Sequence, residues 1–194
     1  MGISERKQRE RSDRERRIVV SAGAIAEREG WDAVTIRRLA AEIEYSQPVI
    51  YSHFPNRDAI IAAVAIEGFG DLAAALTAAL GPDLAPRETL NAVAIAYLDF
   101  AFTRPALCDA MFVLPVDLRF ARSDTPEELR RTFGALMTSL TPFCTEVETA
   151  AEALWASLHG LAMLERHGRI RGAYRTARIG LIVDMITRGG STAG

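Results

Sequence analysis

The sequence predicts an all-α protein in which a small N-terminal trio of helices, containing a helix-turn-helix, precedes a larger helical domain. Apolar residues recur every three or four positions along nearly the whole chain, and no stretch of useful length alternates apolar and polar residues as a half-buried strand does. Breakers and caps punctuate that pattern, with Gly30, Pro55, Gly81, Pro82 and Pro105 as stops and Thr35, Ser46 and Thr125 as starts.

Ile18, Val19, Ala22, Ile25 and Ala26 mark one face of a first helix that ends near Gly30, a residue suited to a left-handed C-cap. Trp31 and Val34 read as loop residues turned into a small core. Thr35 caps a second, short helix with the stripe Ile36, Leu39, Ala40 and Ile43. Ser46 then starts a third helix of about two turns, Gln47 to His53, with Ile50 and Phe54 facing inward; Pro48 fits there because first-turn amides need no intrahelical acceptor.

After Pro55 a long helix begins near Asn56, with Ile61, Val64, Ala65 and Leu72 along one side, and connects two domains before stopping at Gly81 and Pro82. Leu90, Val93, Ala94, Tyr97, Leu98 and Ala101 mark the next helix, and a short one runs through Leu107, Met111 and Phe112. Thr125, Pro126 and Glu128 have the form of a capping box with proline at the first helical position. Two more helices follow, from about Glu146 to His167 and from about Tyr174 to Arg188.

The 194 residues suffice for one large or two small domains with a real core. Cys108 and Cys144 lie in apolar surroundings without metal-ligand spacing and read as buried free thiols; no metal or cofactor is implied. No apolar run is expected to span a bilayer, and the hydrophilic N-terminus lacks the apolar region of a signal peptide, so the expectation is a cytoplasmic protein with no membrane partner. Net charge is −2, which does not announce a nucleic-acid binder. Its distribution is more useful: residues 1–57 hold 11 Lys/Arg against 9 Asp/Glu, and residues 1–17 alone hold 7 against 4. The domains read from this are a basic, flexible arm over 1–16, a helix-turn-helix unit over 17–64 and a second domain over 65–194. The arm can sample phosphates electrostatically or serve simply as a solvated, disordered or helical tail.

Three helices in about 40 residues, with a tight turn between the second and third, form the geometry that places a recognition helix in the DNA major groove. Gln47 can pair bidentately with adenine, and Pro48 and Val49 can meet a thymine methyl. Tyr51 and His53 lie on the flank, and with Ser46 at the helix start and Thr35, Arg37 and Arg57 nearby they can bond phosphates. The competing reading makes Tyr51 and Phe54 ordinary core aromatics.

The run Thr35-Ile36-Arg37-Arg38-Leu39-Ala40, then Ser46 to Phe54, then Asn56-Arg57-Asp58, resembles the N-terminal domain of the TetR family of transcription regulators. That family often carries glycine in the helix-helix turn, where this chain has Glu44; a left-handed backbone at that residue costs roughly 1 kcal/mol. Leu154 to Leu161 is similar to a Trp-His-Gly branch of the family's C-terminal domains, with Arg104-Pro105-Ala106-Leu107 and Met111-Phe112 resembling its earlier half. The resemblance implies a homodimer on a pseudopalindromic double-stranded operator, released by a small, largely apolar effector.

Trp155 and His159 are i, i+4 neighbours; with Tyr97, Phe100, Met111, Phe112 and Met163 they can line an apolar cavity with a polar handle, or simply form core. The resemblance places the dimer interface on the last two helices, where Leu158, Ala162, Ile179, Ile182, Val183 and Ile186 supply suitable faces. Two rivals stand beside this reading. One is a helical enzyme using His159 near Glu165 or Asp184, which lacks any nucleophile-base spacing; the other is a dimeric ligand-binding protein whose DNA-binding head is inactive.

Overall fold

The computed structural model of the chain describes residues 2–115 and 124–189. Among them there is no strand; the elements are α1 (Ile3–Glu29), α2 (Ile36–Glu42), α3 (Gln47–Tyr51), α4 (Arg57–Ala79), α5 (Pro86–Thr103), α6 (Pro105–Phe112), α7 (Glu127–Leu140), α8 (Val147–Arg166) and α9 (Arg175–Gly189). Short 3-10 turns at Trp31–Ala33 and Gly172–Tyr174 precede α2 and α9. The chain divides into two compact units: the first takes everything up to Gly68 together with the segment from Arg104 that contains α6, and the second takes Phe69–Thr103 and α7 to α9.

In the first unit, Ile18, Ala22 and Ile25 of α1, Val34, Leu39 of α2, Ile50 of α3 and Ile60 of α4 are fully buried. α1 ends as its sequence predicts, on Gly30 at φ 83°. Its start differs from the expected flexible arm: the helix continues back to Ile3, with the Glu5 carboxylate accepting from the Gly2 amide at 3.0 Å. Residues 4–17 contain no glycine or proline and are rich in arginine, glutamate and glutamine, good helix formers, tied by i, i+4 ion pairs Arg6–Glu10 at 3.3 Å and Arg11–Glu15 at 2.9 Å.

α6 joins this unit through two anchors. The Glu27 carboxylate accepts from the Ala106 and Leu107 amides at 3.1 and 3.0 Å, and Trp31 Nε1 donates to the Ala106 carbonyl at 2.7 Å. An acid on α1 thus caps the start of α6, some eighty residues away in sequence, where orphan amides and the helix dipole favour negative charge. Gly68 permits the close approach of α4: a Cβ there would fall 2.7 Å from Leu107 Cδ1 and 2.8 Å from Met111 Sδ.

By length and composition α4 could cross a membrane, contrary to the expectation that no segment could. Half of its apolar window is buried inside the protein, and Asp58 and Asp71 lie on it, as in a core helix.

The second unit packs α5 against α7, α8 and α9 around Leu90, Val93, Leu98, Leu136, Leu140, Leu154, Leu158 and Val183. α7 begins within a residue of the expected start, but Thr125 makes no capping bond; it is buried, and its carbonyl accepts from Arg130 Nη1 at 2.9 Å. The Glu165 carboxylate at the end of α8 receives Arg175 at 2.5 Å and Arg178 at 2.6 Å from α9.

Candidate nucleic-acid interface

The helix-turn-helix is built from short-range signals. Thr35 sits in extended conformation before α2 and its hydroxyl accepts from the Arg38 amide at 3.1 Å. At the other end, the Tyr45 amide reaches back to the Ala40 carbonyl at 3.0 Å. That bond closes a Schellman turn, which requires the residue between helix and return to be left-handed. Glu44 occupies that place at φ 56°, with no other non-glycine residue among the described ones at positive φ. The turn therefore keeps the glycine-type geometry without the glycine.

Ser46 is the N-cap of α3 by backbone conformation, although its hydroxyl makes no capping bond; Pro48 lies in the first turn, and Ile50 fills the core. Ser46, Gln47 and Pro48 are exposed, Val49 is half-buried, and Tyr51 stands 52 % exposed. The exposed tip of α3 is thus an amide, a flat ring and a phenol, held by one buried isoleucine. Thr35 and Arg37, at the start of α2, are exposed as well.

Two residues placed with them by sequence are turned to other work. His53 has only 6 % of its side chain exposed, and its Nδ1 lies 3.2 Å from Glu15 Oε1 on α1. Burial by itself would raise the Glu15 carboxyl, but hydrogen bonds from His53 and Arg11 outweigh it and hold the group below its ordinary value. Arg57 donates from Nε to the Val34 carbonyl at 2.8 Å and from Nη2 to the Trp31 carbonyl at 2.6 Å, locking the turn before α2. The long helix that sequence starts near Asn56 is capped by that residue, whose Oδ1 accepts from the Ala59 amide at 2.8 Å.

Residues 18–64 match the family profile described as bacterial regulatory proteins, tetR family, and residues 90–182 match the tetracyclin repressor-like C-terminal domain. An uncharacterized HTH-type transcriptional regulator of Mycobacterium tuberculosis is 29 % identical over 157 residues, covering 78 % of this chain and 69 % of that protein. This chain belongs to the tetR family of transcription regulators. A protein of unknown function from Rhodococcus sp. RHA1 superposes with a TM-score of 0.76 at 26 % identity, over 90 % of this chain and 94 % of the other. The structure of BioQ with its natural double-stranded DNA operator gives a TM-score of 0.66 at 21 % identity, over 90 % and 98 % of the two chains.

In this tetR-family chain the C-terminal match holds a polar cluster in the second unit. Trp155 Nε1 donates to the hydroxyl of buried Tyr97 at 3.1 Å, and the same hydroxyl shares a hydrogen bond with His159 Nδ1 at 3.2 Å. Phe100 and Met163 are half-buried in the same unit. Met111 and Phe112, grouped with them by sequence, belong to α6 in the first unit.

The outer faces of α8 and α9 are shifted from the expected ones. Leu158, Ala162, Ile179 and Val183 are buried within the subunit, and Ile182 and Ile186 are half-buried. The exposed apolar groups are Leu164 on α8 and Leu181 and Met185 on α9, the last two 62 % and 67 % exposed at i, i+4, with Ala153 and Ala177 also outward. Sequence reasoning missed Glu27 as the cap of α6, because nothing local links residue 27 to residues 106 and 107. The signal that could have raised it is an acid near the end of one helix paired with an Arg-Pro helix start at 104 and 105.

Proposed function

We propose that this chain is a dimeric repressor that reads a pseudopalindromic operator with α3 and is released from it by a small, largely apolar effector. The observation that carries the reading is the exposed Gln47, Pro48 and Tyr51 tip on a helix fixed by Ile50 and by the left-handed turn at Glu44. Gln47 offers both a donor and an acceptor to adenine in the major groove, and Pro48 and Val49 offer apolar contact to a thymine methyl. Thr35, Arg37, Ser46 and Tyr51 supply phosphate contacts that fix register. His53 and Arg57 act through others, holding α1 and the turn before α2 where the reading helix needs them.

Homodimerisation uses the outward apolar side chains Leu164 of α8 and Leu181 and Met185 of α9, which a water-exposed subunit has reason to cover. The effector site is the neighbourhood of Tyr97, Trp155 and His159, whose hydroxyl and imidazole supply a polar handle in apolar walls. α4 begins in the first unit and continues into the second, and so carries the change of state, which the effector drives through its different affinity for the two forms. The protein acts in the cytoplasm. The enzyme alternative has no support in the side-chain arrangement: Glu165 is engaged by Arg175 and Arg178, and Asp184 by Arg87.

The test is selection of bound duplexes from random-sequence DNA with the purified full-length protein. The expected product is an inverted repeat whose half-site centres are roughly 34 to 36 Å apart, or a multiple of that spacing. Recovery of no shared sequence above background would defeat the reading.

A further inference from the structure

One stripe of α1 changes character along its length. At positions 18, 22 and 25 it is Ile, Ala and Ile, all fully buried in the first unit. Continued back at the same spacing of three and four residues, it becomes Arg14, Arg11 and Lys7, all exposed. The face that makes the core of the unit therefore runs on, beyond that core, as a row of cations. The family match begins at residue 18, so this stretch lies outside it.

The extension starts beside the reading helix. Glu15 meets His53, which follows α3, and the Arg17 guanidinium lies 5.2 Å from the ring centroid of Tyr45, which precedes it. Residues 15 and 17 thus flank α3 at both ends. From there residues 14 to 7 carry the helix on by about 10 Å, at 1.5 Å per residue. Arg6 is taken by Glu10, and Arg11 is shared with Glu15, while Lys7 and Arg14 make no ion pair among the described residues. The acids Glu5 and Asp13 point away from the stripe by helical position, and Glu10, which borders it three residues after Lys7 and four before Arg14, is engaged by Arg6 at 3.3 Å. Arg16, also exposed, lies on the opposite face.

We infer that the N-terminal half of α1 is a second DNA-contacting element, which lays Lys7 and Arg14, with Arg11 between them, against the phosphates flanking each half-site. The inference rests on the reading of α3 as the operator-reading helix. Its physics is sequence-independent: each phosphate neutralised releases condensed counterions, and affinity then falls with salt in proportion to the number of such contacts. It predicts an increment of affinity common to operator and unrelated duplex, distinct from the base reading by Gln47.

The experiment measures affinity of the full chain against salt concentration, on a duplex selected from random DNA and on a scrambled duplex of the same length. K7Q/R14Q should reduce the slope of log K against log [salt] by about 1.8 per subunit, at about 0.9 per phosphate, and so by about 3.6 per dimer. Between 50 and 200 mM salt the wild type should then lose about 150-fold more affinity than the variant, while the ratio of selected to scrambled binding stays the same. K7E/R14E should weaken both duplexes further, and R16Q, which removes a charge from the other face, should leave the slope within error of wild type. An unchanged slope in K7Q/R14Q at wild-type helicity, or an equal loss in R16Q, overturns the assignment of the stripe. A wild type that fails to prefer the selected duplex overturns the reading of α3 instead, so the two failures are told apart.

Discussion

The two units of this chain hold their polar groups in opposite ways. In the first many are displayed on short helices, as Gln47 and Tyr51 are, or pin backbone, as Arg57 pins the carbonyls of Val34 and Trp31 and Glu27 caps α6, with side-chain pairs such as His53 and Glu15 beside them. In the second, Tyr97 is buried and its hydroxyl joins Trp155 to His159, while the ion pairs at Glu165 tie α8 to α9. A reading head must place a few exposed side chains rigidly, and it does so by fixing main chain. In the proposed function the second unit senses an effector, which asks for polar groups inside apolar walls, and here those side chains are held against one another. On the proposed function, the contrast makes local changes in the first unit act on geometry and buried polar changes in the second act on the proposed effector site.

The largest effect is expected at the close helix contact in the first unit. Gly68→Val would drive side-chain carbons into Leu107 and Met111, where a Cβ alone already falls at 2.7 and 2.8 Å. Overpacking of this kind costs about 1 to 3 kcal/mol, measurable by chemical denaturation together with weakened DNA binding. In the second unit, Tyr97→Phe removes the acceptor of the Trp155 indole and the hydrogen-bond partner of His159, an expected loss of about 1 to 2 kcal/mol, and should leave the salt slope of DNA binding untouched. If the loss appeared mainly in DNA contacts, the division of labour between the units would be wrong.

Glu44→Gly works in the other direction. Relief of a left-handed non-glycine backbone exceeds the added freedom of the unfolded chain, raising stability by up to about 1 kcal/mol, or about 2 to 4 °C in Tm for a domain of this size. The smallest effect is in pH dependence. Hydrogen bonds and charge from Arg175 and Arg178 hold the Glu165 carboxyl below its usual 4.5 despite partial burial. Because the folded pKa lies below the unfolded one, this pair stabilises the fold fully above about pH 4.5 and loses that contribution as pH falls through the lowered folded value. Glu165→Gln should therefore flatten the acid limb of a thermal-melting profile.

The fold was largely legible in the residues because its signals are local. The stripe Ile36, Leu39, Ala40 and Ile43, the Thr35 cap and Gly30 as a helix stop at positive φ each depend on neighbours within a turn or two, and each stands where the pattern puts it, although Gly30 is extended in ψ rather than in the left-handed cap conformation. What escaped the pattern depends on partners far along the chain. The inward turn of His53 needs Glu15, and the placement of α6 in the first unit needs Glu27 and Trp31. On α8 and α9, periodicity finds apolar stripes but does not say which of two adjacent faces is turned to the subunit's own core. Ile179 and Val183 went inward and Leu181 and Met185 outward. The sequence leaves the start of α1 open between a flexible and a helical tail, because a charged segment without an apolar stripe reads as a tail even where its propensities favour helix.

The most direct test of the central claim is the double change Gln47→Ala and Tyr51→Ala, read as binding to the selected inverted-repeat duplex and to a scrambled one at physiological salt. Loss of a bidentate base contact costs about 1 to 3 kcal/mol, so preference for the selected duplex should fall by about 5- to 150-fold per half-site while the melting temperature stays close to that of the wild type. Undiminished preference in the folded double variant would contradict the assignment of α3 as the helix that reads DNA.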